Sequence, residues 1–127
     1  MPLKIDEIGE VFRVEDPSGI GPYCSEIWKE TADYFAYLHD GCNNHPVPID
    51  DPEIKMYMKA DQRCAFESME QLDNWFTKKQ QKRLLRDGFR IVKRKGVIIG
   101  RSKFQVVFQP TEPTAEIIEG GTFGDWG

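Results

Sequence analysis

The 127-residue sequence contains only three cysteines and two histidines, and no apolar run approaches the ~18 residues that a membrane span needs. Cys24, Cys42 and Cys64 are too few, and odd in number, for the disulfide framework of a secreted scaffold, so they are read as free thiols. The opening MPLKIDEIGE places acids where a secretory leader carries a basic flank and an apolar core. The protein is therefore expected in the cytoplasm, without membrane contact. Residues 104–127 hold no lysine or arginine, and residues 78–103 hold a single acid, Asp87. No G-x-x-x-x-G-K-[ST] stretch occurs, which removes the best-defined phosphate-binding loop.

What the chain does have suits one domain. Hydrophobic residues make up 39% and charged residues 30%, and eight Phe, four Tyr and three Trp supply large units for burial. The net charge of -4 conceals three blocks: residues 1–77 carry -10, residues 78–103 carry +10, and residues 104–127 carry -4. Such asymmetry suits either a basic face for nucleic acid or an acidic half packed against a basic one.

Local patterns give the elements. Glu10 to Glu15 alternates as a strand, with Val11, Arg13 and Glu15 on one side and Phe12 and Val14 on the other. "DPSGIGPY" then turns the chain. Ser25 reads as the cap of a helix over 25–39, with Ile27, Thr31, Tyr34, Phe35 and Leu38 inward and Gly41 as its stop. "NNHPVPIDDPE" has three prolines and reads as a loop. Short strands are expected at 55–59 and 62–66. Ser68 with Gln71, and Thr77 with Gln80, are capping-box pairs that predict helices over 69–76 and 78–86, the second closed by Gly88. "FRIVKRK" and "KFQVVFQ" read as hairpin strands linked through "GVIIGRS". The expected fold is a single α+β domain over 1–109, with a small, largely antiparallel sheet, one long and two short helices, and a flexible acidic tail over 110–127.

Several residues invite a functional reading. His39, Cys42 and His45 are zinc-binding types, but they lack the paired short spacings of zinc modules, and no metal is assigned. Asp50 and Asp51 before a proline read as a solvated turn. "PSGIGPY" reads mainly as a turn, and if it binds a ligand, Arg13 and Tyr23 at its ends make the contact. Lys78, Lys79, Lys82, Arg83, Arg86, Arg90, Lys93, Arg94 and Lys95 form a basic segment suited to phosphate contacts or to an acidic partner. Phe123 and Trp126, in an acidic stretch without a compensating base, are candidate partner-binding residues.

The ordered set "FRVEDPSGIGPY", "HPVPIDD", "CAFESMEQLDNWF", "LLRDGFRIV" and "QVVF", spanning about residues 11–109, resembles a group of small proteins encoded by bacteriophages and prophages. The resemblance implies a viral setting rather than a mechanism. A fainter one is to ADP-ribosyltransferase-like folds. It would put Arg13 on the phosphate or ribose of NAD, make Ser68 the serine of the second motif, and bring Gln105 near the place of the catalytic acid. "FQVVF" offers no glutamate there, so this alternative is an enzyme or an inactive nucleotide-binding relative, and NAD is a cofactor only within it. The favoured reading is a phage accessory protein, more a binder than an enzyme, that occupies a host or anti-phage-defence protein. Nucleic-acid binding through residues 78–103 is the third.

Overall fold

A computed structural model describes residues 3–39 and 45–120. Among these the chain forms five strands and three helices in the order β1 (Ile8–Glu15), α1 (Lys29–His39), β2 (Arg63–Ala65), α2 (Met69–Trp75), α3 (Lys78–Arg86), β3 (Arg90–Arg101), β4 (Val106–Pro110) and β5 (Glu116–Glu119). The α+β class and the antiparallel sheet are as the sequence predicts.

β3 is the spine of the sheet. It pairs along one side with β1, from Ile8↔Val97 to Glu15↔Arg90, and on the other side with β4 over Gly96 to Arg101 and with β5 over Ile91 to Lys93. β4 and β5 thus lie along successive stretches of β3, separated by the proline-containing segment 111–115. β2 pairs with β4 on the far side, giving the order β1-β3-β4-β2. The sheet then curls back on itself, because Phe12 and Phe66 exchange both backbone hydrogen bonds, at 2.7 and 2.8 Å. This closure joins the two ends of the strand order and brings the start of α2 against β1.

The core has two parts. Val14, Phe35, Phe66, Leu72, Trp75, Phe76, Leu84, Phe89 and Ile91 pack between sheet and helices, and Val11, Ala65, Ile98, Val106 and Phe108 form a second cluster. The caps of the short helices form from local chemistry. Ser68 Oγ accepts from the Gln71 amide, and Thr77 with Gln80 completes a reciprocal capping box. The Gln71 side chain departs from the box pattern, accepting from the Glu67 amide at 2.9 Å and donating to the Ser102 carbonyl at 3.1 Å.

Five expectations are corrected. Helix α1 starts at Lys29, because Ser25 instead closes a turn with its Oγ accepting from Trp28 N. Its buried residues are Thr31, Ala32, Phe35 and His39, so the inward face is rotated away from Ile27, Tyr34 and Leu38. No strand forms at 55–59. "GVIIGR" lies within the continuous strand β3 and does not link two strands, and β5 extends the sheet beyond residue 109 into the segment expected to be a tail. Phe123, Trp126 and Cys42 lie outside the described residues, as does the rest of the tail from residue 121.

Candidate functional site

The glycine-rich turn closes on its own carboxylate. Asp16 Oδ1 accepts from the Ser18 amide at 2.8 Å, the Ile20 amide at 3.0 Å and the Ser18 hydroxyl at 2.7 Å, while Oδ2 accepts from the Ser25 hydroxyl at 2.6 Å. Burial works against the ionised form, but the Ser25 and Ser18 hydrogen bonds outweigh it and hold the Asp16 carboxyl below its usual range. The amides that a phosphate would seek are therefore already satisfied.

Beneath the turn lies a cavity of about 380 Å³. Arg13 from β1, Gln105 from the β3–β4 connection and Tyr23 from the turn all line it, alongside Phe66, Trp75 and Phe76. Three of the four candidate ligand residues thus meet in one place. Ser68 does not join them. It faces a separate recess with Glu67, Gln71 and Arg101, and its hydroxyl is used as the α2 cap.

Arg13 is nearly buried, with Nε 3.4 Å from Glu15. That carboxylate is also held by Arg94, through Nε at 2.6 Å and Nη2 at 2.9 Å. Two guanidiniums share one acid. Burial lowers the Arg13 pKa, with Glu15 opposing and Arg94 adding to the effect, whereas the Glu15 hydrogen bond raises that of Arg94. The turn rests on this pair: a Cβ added at Gly21 would lie 3.1 Å from Arg13 Nη2, and one at Gly19 would lie 3.5 Å from Arg94 Nη2.

The cavity wall is held by a chain of hydrogen bonds. The Trp75 indole N–H donates to the Tyr23 hydroxyl at 2.6 Å, and the same hydroxyl is hydrogen-bonded to His39 Nδ1 at 2.5 Å. His39 stacks on His45 at 3.8 Å, and His45 Nε2 donates to the Trp75 carbonyl at 2.6 Å. Burial, and next the neighbouring His45, lower the His39 pKa to about 4. Among the described residues no group of three or more His, Cys, Asp or Glu is placed to hold a metal.

Gln105 is committed to structure. Its Nε2 donates to the Pro46 carbonyl at 2.6 Å and to Asp51 Oδ2 at 3.1 Å, and the Ser102 hydroxyl donates to the same oxygen at 2.5 Å. Asp51 is wholly buried, so the expectation of a solvated acidic pair holds for Asp50 but fails for Asp51, which clamps the proline loop to the β3–β4 turn.

The basic segment is divided by acids. Lys78 pairs with Asp73 at 3.2 Å, Arg86 with Asp87 at 3.2 Å, Lys93 with Glu116 at 3.7 Å, and Arg94 with Glu15. Arg83 lies 3.6 Å from Asp87 and 3.9 Å from the centre of the Tyr34 ring. Arg90 Nε is buried with no hydrogen-bond partner among the described residues, while Lys79, Lys82 and Lys95 stand exposed.

A family model described as the bacteriophage T4 Y00F protein matches residues 4–119. The chain belongs to that family. Comparison with curated proteins and with solved structures gives no match. The family supports the phage setting that the motif order implies, and its match takes in β5, beyond the expected domain end at residue 109. Among the described residues, no helix is long and apolar enough to cross a membrane.

The Glu15–Arg94 pair and the Asp16 clamp escaped the sequence reading. A signal for the first was available: alternation puts Arg13 and Glu15 on one face of β1 together with Val11, and charges on a core-facing side need partners from elsewhere in the fold.

Proposed function

We propose that this phage accessory protein works in the host cytoplasm by occupying a host or anti-phage-defence protein, without turning over a substrate. The observation that carries this reading is the outer side of α1 and α3. On α1 Tyr37 is 86% exposed, and Tyr34, 41% exposed, lines one groove with the exposed Lys79, Lys82 and Arg86. Tyr34, Leu38, Lys79, Lys82, Arg83 and Arg86 border a groove of about 560 Å³. Tyrosine and arginine are the side chains that most often dominate protein interfaces, and the surplus of cations suits an acidic partner surface. The rotation of α1 that buries Ala32 and His39 is what turns Tyr34 and Leu38 outward.

The transferase-like alternative finds less support, since the Gln105 amide and the Ser68 hydroxyl are both engaged in holding the fold. The test is a pull-down from host lysate with the unmodified chain and with a Tyr37→Ala, Lys79→Glu, Lys82→Glu variant of matching circular dichroism. The reading expects an acidic protein retained by the first, lost by the second, and unchanged in intact mass. Equal retention by both would remove the α1–α3 surface, a prey carrying added ADP-ribose mass would favour the transferase, and recovery of nucleic acid with steep salt dependence would favour the third reading.

A further inference from the structure

We infer that the cavity beneath the Asp16–Tyr23 turn binds a small aromatic carboxylate, with Arg13 as its anion partner. The inference is independent of the α1–α3 surface. It begins with a charge imbalance. The cavity lining contains Arg13 and Arg63 but neither aspartate nor glutamate. Arg13 is 6% exposed, and its guanidinium donates no hydrogen bond among the described residues. Its one ion pair is with Glu15, whose two oxygens Arg94 already takes. A nearly buried guanidinium with donors unused is costly unless an anion completes it. Arg63 adds charge to the lining while its Nη1 donates to the carbonyls of Ala60 and Gln62.

The rest of the lining defines the body of the ligand. Val14, Ile20, Met58, Phe66, Trp75 and Phe76 give apolar and aromatic walls, which accept a flat ring edge-on or stacked. A volume of about 380 Å³ lies at the small end of ligand sites and suits a single ring with a short side arm. The anion is a carboxylate and not a phosphate for a reason of donors. One guanidinium fork matches a planar carboxylate, whereas a phosphate dianion asks for further donors, and the Ser18 and Ile20 amides that could supply them are held by Asp16. The Tyr23 hydroxyl and Trp75 indole, bonded to each other, fix the wall against which the ring lies.

A free aromatic acid and the C-terminal residue of a peptide share this chemistry. The experiment titrates the full chain with phenylacetate, phenylacetamide, phenyl phosphate, and the tripeptide Gly-Gly-Phe as free acid and as amide. It reads heat by calorimetry and the Trp75 indole N–H by NMR. Phenylacetate or the free-acid tripeptide should saturate and shift the Trp75 signal, with the matching amide at least about tenfold weaker, as expected for losing a charge-assisted hydrogen bond. Binding by the tripeptide alone identifies a peptide terminus as the source. Arg13→Lys should weaken the carboxylate by a similar factor. Should that variant misfold, the acid–amide pairs on the unaltered chain still decide. Equal affinity for acid and amide, tighter binding of phenyl phosphate, or no saturation by any carboxylate at millimolar concentration overturns the inference.

Discussion

Glu15, with no exposed surface, gives both carboxylate oxygens to the Arg94 guanidinium at 2.6 and 2.9 Å, joining the end of β1 to the middle of β3. A bidentate pair fixes orientation as well as charge. Because Arg13 leans on the same acid, Glu15→Gln would leave two guanidiniums facing each other with no counter-charge between them. The expected loss is about 3–5 kcal/mol in chemical denaturation, with Arg94→Gln costing less because Glu15 keeps Arg13. Equal losses would mean that the Arg13–Glu15 contact contributes nothing.

Trp75 and Phe76 test the core. Phe76 is 1% exposed and Trp75 8%, and they contact Phe66, Phe35 and the two histidines. Phe76→Ala should cost about 3–5 kcal/mol and produce aggregation. Trp75→Phe keeps one six-membered aromatic ring but removes the pyrrole ring with the N–H that the Tyr23 hydroxyl accepts, so a smaller cost of about 1–3 kcal/mol is expected from denaturant midpoints. An unchanged midpoint in Trp75→Phe would show the Tyr23 bond to be without energetic weight.

Parts of this fold were legible because their causes are local. Ser68, Thr77 and Gln80 lie within a turn of the amides they satisfy, and the α2 and α3 starts were read correctly from them. Partners distant in sequence were not legible. Ser102 meets Asp51 from 51 residues away and Arg94 meets Glu15 from 79, and nothing near Asp51 distinguishes a buried acid from a solvated one. Helix α1 carries Tyr34 and Leu38 beside Ala32 and Phe35, and tertiary packing, which local spacing does not encode, buries the second pair. Of the candidate site, Arg13, Tyr23 and Gln105 were placed by motif and do converge on one cavity, while its aromatic walls depend on how the sheet curls.

Stability should fall with acid in a defined window. The folded His39 has a pKa near 4, lowered by burial and then by His45, against 6.5 for the free side chain. Between these values the unfolded chain binds the proton more readily, so stability from this group is complete above about 6.5 and declines as pH drops toward 4, by at most about 1.4 kcal/mol per pH unit. Urea midpoints at pH 7, 5.5 and 4.5 for the parent and for His39→Gln measure this. Parallel curves for the two proteins would remove His39 as the source.

The last prediction concerns Gly96, in a stretch that the sequence suggested was a link between strands. Gly96 sits inside β3, opposite Gly9 of β1 on one side and Pro110 of β4 on the other. A Cβ placed there would lie 2.3 Å from the Gln109 carbonyl oxygen and 2.6 Å from the Phe108 ring. The first neighbour is backbone of the paired strand and cannot swing aside, so Gly96 marks a close approach within a strand and not a turn. Gly100, four residues on, differs: its added Cβ would meet Ile54 Cγ2 at 3.2 Å, a side chain in a loop that can yield. Gly96→Ala should therefore cost at least about 3 kcal/mol and Gly100→Ala no more than about 1 kcal/mol, compared by urea midpoint at constant m value. Similar costs at both positions, or a larger one at Gly100, would mean that β3 does not run unbroken between β1 and β4, and that the hairpin first read from the sequence is closer to the truth.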